Sequence, residues 1–223
     1  QHRLIGIQGL CFGYGGTKGG FTVGPVDLTL RPGELVLITG GNGSGKSTMM
    51  KMILGLYSAE SGKILWNGEP LTSLTRRRYR DLFTSISTEQ HIFAELYGLH
   101  DRVDKGAVDG LLERFGLAEI VAYEGGRFTN LDLSSGQRMR LAMVVALLEE
   151  RPVCVFDEWT ANQDPDMTRF YYDTLLPELV AAGKCVIAVS HDERFFARAD
   201  TLVELDAGTV RSLSQRPSKE RSS

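Results

Sequence analysis

The stretch Gly40-Gly41-Asn42-Gly43-Ser44-Gly45-Lys46-Ser47-Thr48 decides how this chain reads. The apolar run before it, Glu34 to Thr39, predicts a strand, and Lys46 to Leu56 predicts a helix after it. Gly40-x₄-Gly45-Lys46-Ser47 matches the phosphate-loop pattern, in the strand-loop-helix context that pattern requires. Its glycines let backbone N–H groups turn inward into an anion nest. The following helix presents its positive end to the same place. All nine residues are therefore expected to hold the phosphates of a nucleotide. Lys46 is expected to reach the β- and γ-phosphates, and the Ser47 hydroxyl to ligate Mg²⁺.

A second patch, Val153-Cys154-Val155-Phe156-Asp157-Glu158, is four apolar residues followed by two acids. Such a run predicts a strand buried on both faces of a parallel sheet. That strand delivers the acids to its C-terminal edge, where open α/β sheets bind ligands. Asp157 is expected on the Mg²⁺ side, and Glu158 is expected to polarise the attacking water. His191 follows another buried run, Cys185 to Ser190. It reads either as a satisfied core histidine or as a contact to the γ-phosphate, and its place beside the Asp157 strand favours the contact.

Composition fits a soluble globular domain, with 42% apolar and 24% charged residues. The net charge of −3 gives no bulk attraction to nucleic acid or anionic membrane. Three scattered cysteines, Cys11, Cys154 and Cys185, argue against a disulfide framework. No apolar run reaches the ~18 residues of a membrane span. Leu141 to Leu148 reads as a buried helix. The first methionine is Met49, inside the phosphate-loop region, so the chain is expected to be a domain cut from a longer protein.

Along the chain, the segments 4–14, 21–30 and 34–39 read as short strands. Gly15, Gly16, Gly19 and Gly20 mark a turn between the first two. Ser61 to Leu71 reads as a strand and turn, with Asn67-Gly68 as a hairpin signal. Residues 72–148 read as an inserted, mainly helical lobe, Pro165 to Ala182 as a helix, and 212–223 as a polar tail.

The order and spacing of these patches, with Leu133-Ser134-Ser135-Gly136-Gln137 between them, resemble the ATPase domain of ABC transporters over essentially the whole chain. The resemblance implies an α/β fold: a P-loop NTPase core, an N-terminal antiparallel β subdomain and an inserted helical subdomain. LSSGQ looks like the family's signature sequence, with Ser135 where glycine is commoner. In the family it caps a helix that contacts the γ-phosphate held by the other subunit. Ser134, the Gly136 backbone and the helix dipole suit an anion. The resemblance thus implies a homodimer closed on ATP, joined to a transmembrane domain at the cytoplasmic face of a membrane. Tyr14 matches the adenine-stacking aromatic, with Phe12 its neighbour and competitor. Ala161-Asn162-Gln163-Asp164 matches the dimer-interface loop.

Two positions depart from the family. Its Mg²⁺-contacting glutamine falls to Thr88, Glu89 or Gln90, depending on the alignment to Ile92-Phe93. Trp159 replaces the proline usual after the acidic pair. The run DEWTANQDP, with TLLPEL, SHDERFFARAD and STEQHIF, resembles a narrower group, the bacterial cyclic-peptide and siderophore exporters. Arg76, Arg77, Arg78 and Arg80 lack interleaved aromatics and read as a solvated face near the transport-domain contact, not as a nucleic-acid patch. Two other readings stand beside export: a stand-alone ATPase subunit of an importer, and a DNA-associated ATPase. The second requires long coiled coils between phosphate loop and signature, and the stretch from Thr48 to Leu133 is too short for them.

Overall fold

In a computed structural model of the chain, which describes residues 4–14, 20–87, 94–96 and 103–215, the N-terminal alternation becomes an antiparallel sheet. β1 (Ile5–Gly13) pairs with β2 (Thr22–Leu30), and β3 (Leu35–Thr39) leads into the phosphate loop and α1 (Lys46–Ile53). β4 (Ser61–Trp66) returns against β1 and turns into β5 (Glu69–Pro70). The turn is at Asn67 (φ 54°) and Gly68 (φ 89°), both left-handed, as the tightest hairpins require. Next come α2 (Arg76–Arg80), β6 (Phe83–Ile86), α3 (Lys105–Arg114), a small hairpin of β7 (Tyr123–Glu124) and β8 (Arg127–Phe128), and α4 (Ser135–Leu148). β9 (Val153–Phe156) is followed by a 3₁₀ turn at Trp159–Asn162, then α5 (Pro165–Phe170) and α6 (Leu176–Ala181). β10 (Cys185–Val189), β11 (Thr201–Asp206) and β12 (Thr209–Gln215) complete the chain.

The central sheet has six strands in the order β12-β11-β3-β10-β9-β6. Its pairs are parallel except β11 with β12. The second sheet, β2-β1-β4-β5, is antiparallel. Because side chains alternate along a strand, each central strand feeds two cores. Val36, Ile38, Val153, Val155 and Ile187 pack with α1 and the antiparallel sheet. Leu37, Cys154, Phe156, Val186 and Ala188 face the helices α3 to α6. Burial on both faces accounts for the unbroken apolar character of β3, β9 and β10. All three cysteines are free.

Three readings are corrected. The stretch 72–148 does not belong wholly to the helical lobe, because β6 lies within it and pairs with β9 in the central sheet. Its sequence, Phe-Thr-Ser-Ile, has polar residues at its centre, and burial of Thr84 comes from the fold, not from local pattern. The helix expected over Pro165 to Ala182 is broken at Tyr171–Leu175 by a π turn. Pro177 follows there and has no N–H to give the Asp173 carbonyl, so the ladder widens. The polar tail begins later than 212, since β12 runs to Gln215 against β11. Among the described residues no helix is long and apolar enough to cross a membrane.

Candidate active site

The loops after β3, β9 and β10 lie side by side at the C-terminal edge of the central sheet, because β10 sits between the other two strands. Gly40 opens the phosphate loop at φ 142°, and a Cβ there would lie 2.2 Å from the Leu205 carbonyl oxygen. Only glycine lets the loop pass so close to β11. Lys46 is 6% exposed and folds back over the loop. Its Nζ donates to the carbonyls of Gly40 at 2.9 Å and Gly41 at 3.0 Å. The ammonium is thereby held where a nucleotide's phosphates would arrive.

Ser47 Oγ donates to Asp157 Oδ2 at 3.1 Å, which joins the start of α1 to the end of β9. Burial pushes the Asp157 carboxyl above its usual range, and the Ser47 hydroxyl opposes that shift. A hydroxyl and a carboxylate are hard oxygen donors. They fit Mg²⁺, which takes few protein ligands and fills its shell with water and substrate phosphate.

Glu158 has φ 50° and ψ 38°, a left-handed conformation that costs a non-glycine residue roughly 1–2 kcal/mol. Such strain persists only where the surroundings impose it. Here Phe156 and Trp159, on either side of the acidic pair, are 0% and 1% exposed and anchor the chain. The carboxylate emerges between them. Its Oε1 lies 2.9 Å from His191 Nε2 and 3.9 Å from Lys46 Nζ. An open cavity of about 400 Å³ borders Glu158 and His191.

Ser134 caps α4: its Oγ accepts from the Gln137 N–H at 3.3 Å, and Gln137 Oε1 accepts from the Ser134 N–H at 3.0 Å. This reciprocal pair is a capping box. Among the described residues, no hydrogen bond of Leu133, Ser134, Ser135, Gly136 or Gln137 reaches the phosphate loop of the same chain. One bond runs instead to the loop Ala161–Asp164. Gln163 Nε2 donates to the Gly136 carbonyl at 3.1 Å. Arg140 donates to Gln163 Oε1 at 2.8 Å and to Asp164 Oδ2 at 2.5 Å. Asp164 also caps α5 by accepting the Met167 N–H at 2.8 Å; that bond and Arg140 hold its carboxyl below the usual range.

Tyr14 is 44% exposed at the flank of the loop, and its hydroxyl lies 3.0 Å from Thr48 Oγ1. Phe12 stacks instead on Tyr57, with ring centroids 4.5 Å apart. Thr88, Glu89 and Gln90 lie outside the described residues.

Sequence reasoning missed three contributors. Tyr57, just past α1, stands beside Tyr14. Arg140, four residues after Gly136, shares a helix face with it, and that spacing was a usable signal. The third is Gly208, in the β11–β12 turn, whose N–H donates to the Ser44 carbonyl at 2.9 Å. Its own carbonyl accepts from Gly24, so the turn braces the phosphate loop against β2. Gly208 has φ 83°, and a Cβ would sit 1.9 Å from the Thr22 carbonyl oxygen. Gly208→Ala is expected to cost about 2 kcal/mol or more, lowering Tm by about 4–8 °C. It should also weaken ATP binding, which thermal melts with and without ATP will read out; an unchanged melt in both would refute the brace.

These features define a P-loop NTPase site on an ABC-type nucleotide-binding fold. Residues 23–161 match the ABC transporter family, and the chain belongs to that family. It is 42% identical over 199 residues to the ATP-binding protein SyrD of Pseudomonas syringae pv. syringae, covering 87% of this chain and 35% of that protein. It is 29% identical over 218 residues to the ATP-dependent lipid A-core flippase of Francisella novicida, covering 92% of this chain and 36% of that one. The chain thus spans about a third of the length of these relatives. The fold superposes on a bacterial Atm1-family ABC exporter with ATP bound, at TM-score 0.80 and 22% identity, covering 96% of this chain and 39% of the other. It also superposes on cbiO1 from Clostridium perfringens, part of the ABC transporter complex cbiONQ, at TM-score 0.75 and 23% identity, covering 96% of this chain and 89% of that one. ATP hydrolysis is the activity of this family's nucleotide-binding domains.

Proposed function

We propose that this chain is the ATP-hydrolysing motor of a membrane exporter and works as a homodimer closed on two ATP molecules. The observation that carries the reading is the convergence of Lys46 and His191 on the Glu158 carboxylate, beside the Ser47–Asp157 pair. The loop amides and Lys46 bind the phosphates. Ser47 and Asp157 would hold Mg²⁺, which would neutralise charge on the phosphate oxygens. Tyr14, exposed at the flank of the loop, would stack on the base, where stacking contributes about 1–3 kcal/mol. Glu158 accepts a proton from the attacking water, and His191 orients that carboxylate and meets the γ-phosphate.

Among the described residues, the signature turn makes no hydrogen bond to the phosphate loop of its own chain, which supports a nucleotide partner from another subunit. The turn's bond to Gln163, in the loop read as a dimer contact, supports a surface that an isologous dimer would fill with the other subunit's ATP. Hydrolysis and phosphate release then remove the contacts that hold the dimer shut. The relatives' greater length supports a fused transmembrane domain in the same polypeptide and a position at the cytoplasmic face of the bacterial inner membrane. The run DEWTANQDP and the similarity to SyrD support a cyclic peptide or peptide siderophore as cargo, recognised by the membrane domain. The cbiO1 likeness, which covers most of that chain, supports a stand-alone subunit as the second reading. Membrane-spanning helices encoded in the same reading frame would decide for the fused form.

Complementation tests the composite site. Lys46→Ala disables a chain's own phosphate loop, and Ser134→Arg disables the signature it offers its partner. Each variant alone is expected to be inactive. Mixed, they should regain hydrolysis up to about a quarter of the parental rate, because half the dimers are mixed and each has one intact site. No recovery on mixing would refute the composite site.

A further inference from the structure

Trp159 stands directly after the proposed base and is fully buried. Its ring stacks on Tyr171 with centroids 4.8 Å apart, and meets Phe115 edge-on at 6.3 Å. Its indole N–H donates to the Met139 carbonyl at 2.8 Å. Met139 lies in α4, one turn beyond the signature. The same strip of helix receives Gln163 on the Gly136 carbonyl and gives Arg140 to Gln163 and Asp164. The Asn162 carbonyl approaches Gly136 so closely that a Cβ there would lie 2.5 Å from it. Residues 159–164 are therefore fastened to residues 136–140 at several points.

We propose that Trp159 is a positioning residue that ties Glu158 to the helix carrying the signature, with Gln163 and Arg140 completing the tie. The inference rests on the function proposed above. In such a dimer, Glu158 serves the nucleotide on its own phosphate loop, while LSSGQ of the same chain serves the partner's nucleotide. Glu158 sits between β9, locked in the sheet, and Trp159, locked on α4. A shift of α4 relative to the sheet is taken up by the few backbone dihedrals between those anchors, Glu158 among them. Engagement of the signature by the partner's ATP thus sets the carboxylate at this chain's own site. Trp in place of the family's usual proline makes the tie possible, since proline has neither an N–H donor nor a ring wide enough to reach α4 and Tyr171 together.

Trp159→Phe keeps an aromatic ring against Tyr171 but removes the indole donor and some buried ring volume, so a modest fall in Tm is expected with it. It is expected to lower kcat about tenfold, as loss of one buried hydrogen bond allows, while the Kd for ATP stays within about twofold. Arg140→Lys keeps the charge and loses the fork; its kcat should fall about threefold at unchanged Kd. The mixed dimer separates local support from linkage. In the Ser134→Arg chain, Trp159→Phe touches the active Glu158; in the Lys46→Ala chain, it touches only the active signature. Loss of rate in both placements is expected. Loss in the first placement alone overturns the linkage. Parental kcat in both single variants, or Tm and ATP affinity falling in step with kcat, overturns the positioning role. Failure of the underlying reading looks different: Glu158→Gln would then hydrolyse ATP normally, or the mixed dimer would regain no activity.

Discussion

Glu158→Gln is expected to reduce ATP hydrolysis by about 10²–10⁴-fold, the usual range for removing a positioned general base. The replacement has the same shape, and its amide keeps an oxygen that can face His191 Nε2, where Oε1 now lies at 2.9 Å. What disappears is the proton acceptor and one negative charge. That charge is 3.9 Å from Lys46, at the place where phosphate charge gathers. Its removal lowers repulsion toward ATP, so binding should hold or tighten while hydrolysis stops. The variant should accumulate as an ATP-bound dimer on size-exclusion chromatography. Hydrolysis at the parental rate would exclude Glu158 as the base.

Lys46→Ala is expected to weaken ATP binding by about 10²–10³-fold, equivalent to about 3–4 kcal/mol, because charge-assisted contacts to phosphate are lost. The structure adds a second cause. Lys46 Nζ satisfies the carbonyls of Gly40 and Gly41, so truncation leaves both without that donor and loosens the loop before any nucleotide arrives. Isothermal calorimetry with Mg·ATP measures the effect, and an affinity equal to the parent's would contradict the phosphate-loop assignment. The helix itself should survive, since alanine is the best helix former and Lys46 stands at the first position of α1.

The two predictions also separate the site into parts. Lys46 acts on binding and Glu158 on the rate, although their charges lie within contact of one another. A nucleotide enters a place where a cation is already held by backbone oxygens and a carboxylate is already held by a histidine. Little reorganisation remains for the moment of reaction, which is the condition under which fixed charges contribute most to catalysis.

Much of this was legible in the residues alone. The phosphate loop is a contiguous backbone device, so nine neighbouring residues specify it completely. The strands β3, β9 and β10 announce themselves because burial on both faces demands unbroken apolar runs. Asp157 and Glu158 follow from those strands, since a buried run that ends in two acids must deliver them to the sheet edge. The stretches Leu133–Gln137 and Ala161–Asp164 were equally visible as short patterns, and Ser134 caps its helix through Gln137 as their three-residue spacing implies.

Other features became visible only with the tertiary structure. β6 lacks an apolar run, and pairing with β9 makes it a strand. His191 meets Glu158 only because β10 inserts next to β9. Gly208 steadies a loop more than 150 positions earlier in the chain. Trp159 reaches across to α4 with its indole N–H, a contact that its position in the sequence does not specify. The physical reason is the same in each case. Local sequence sets backbone conformation and which face is apolar. It does not state which distant surface that face meets. The chain alone therefore pointed to the chemistry proposed for this protein, and only the packing of remote segments decided how the Glu158 carboxylate, α4 and the phosphate loop are fastened to one another.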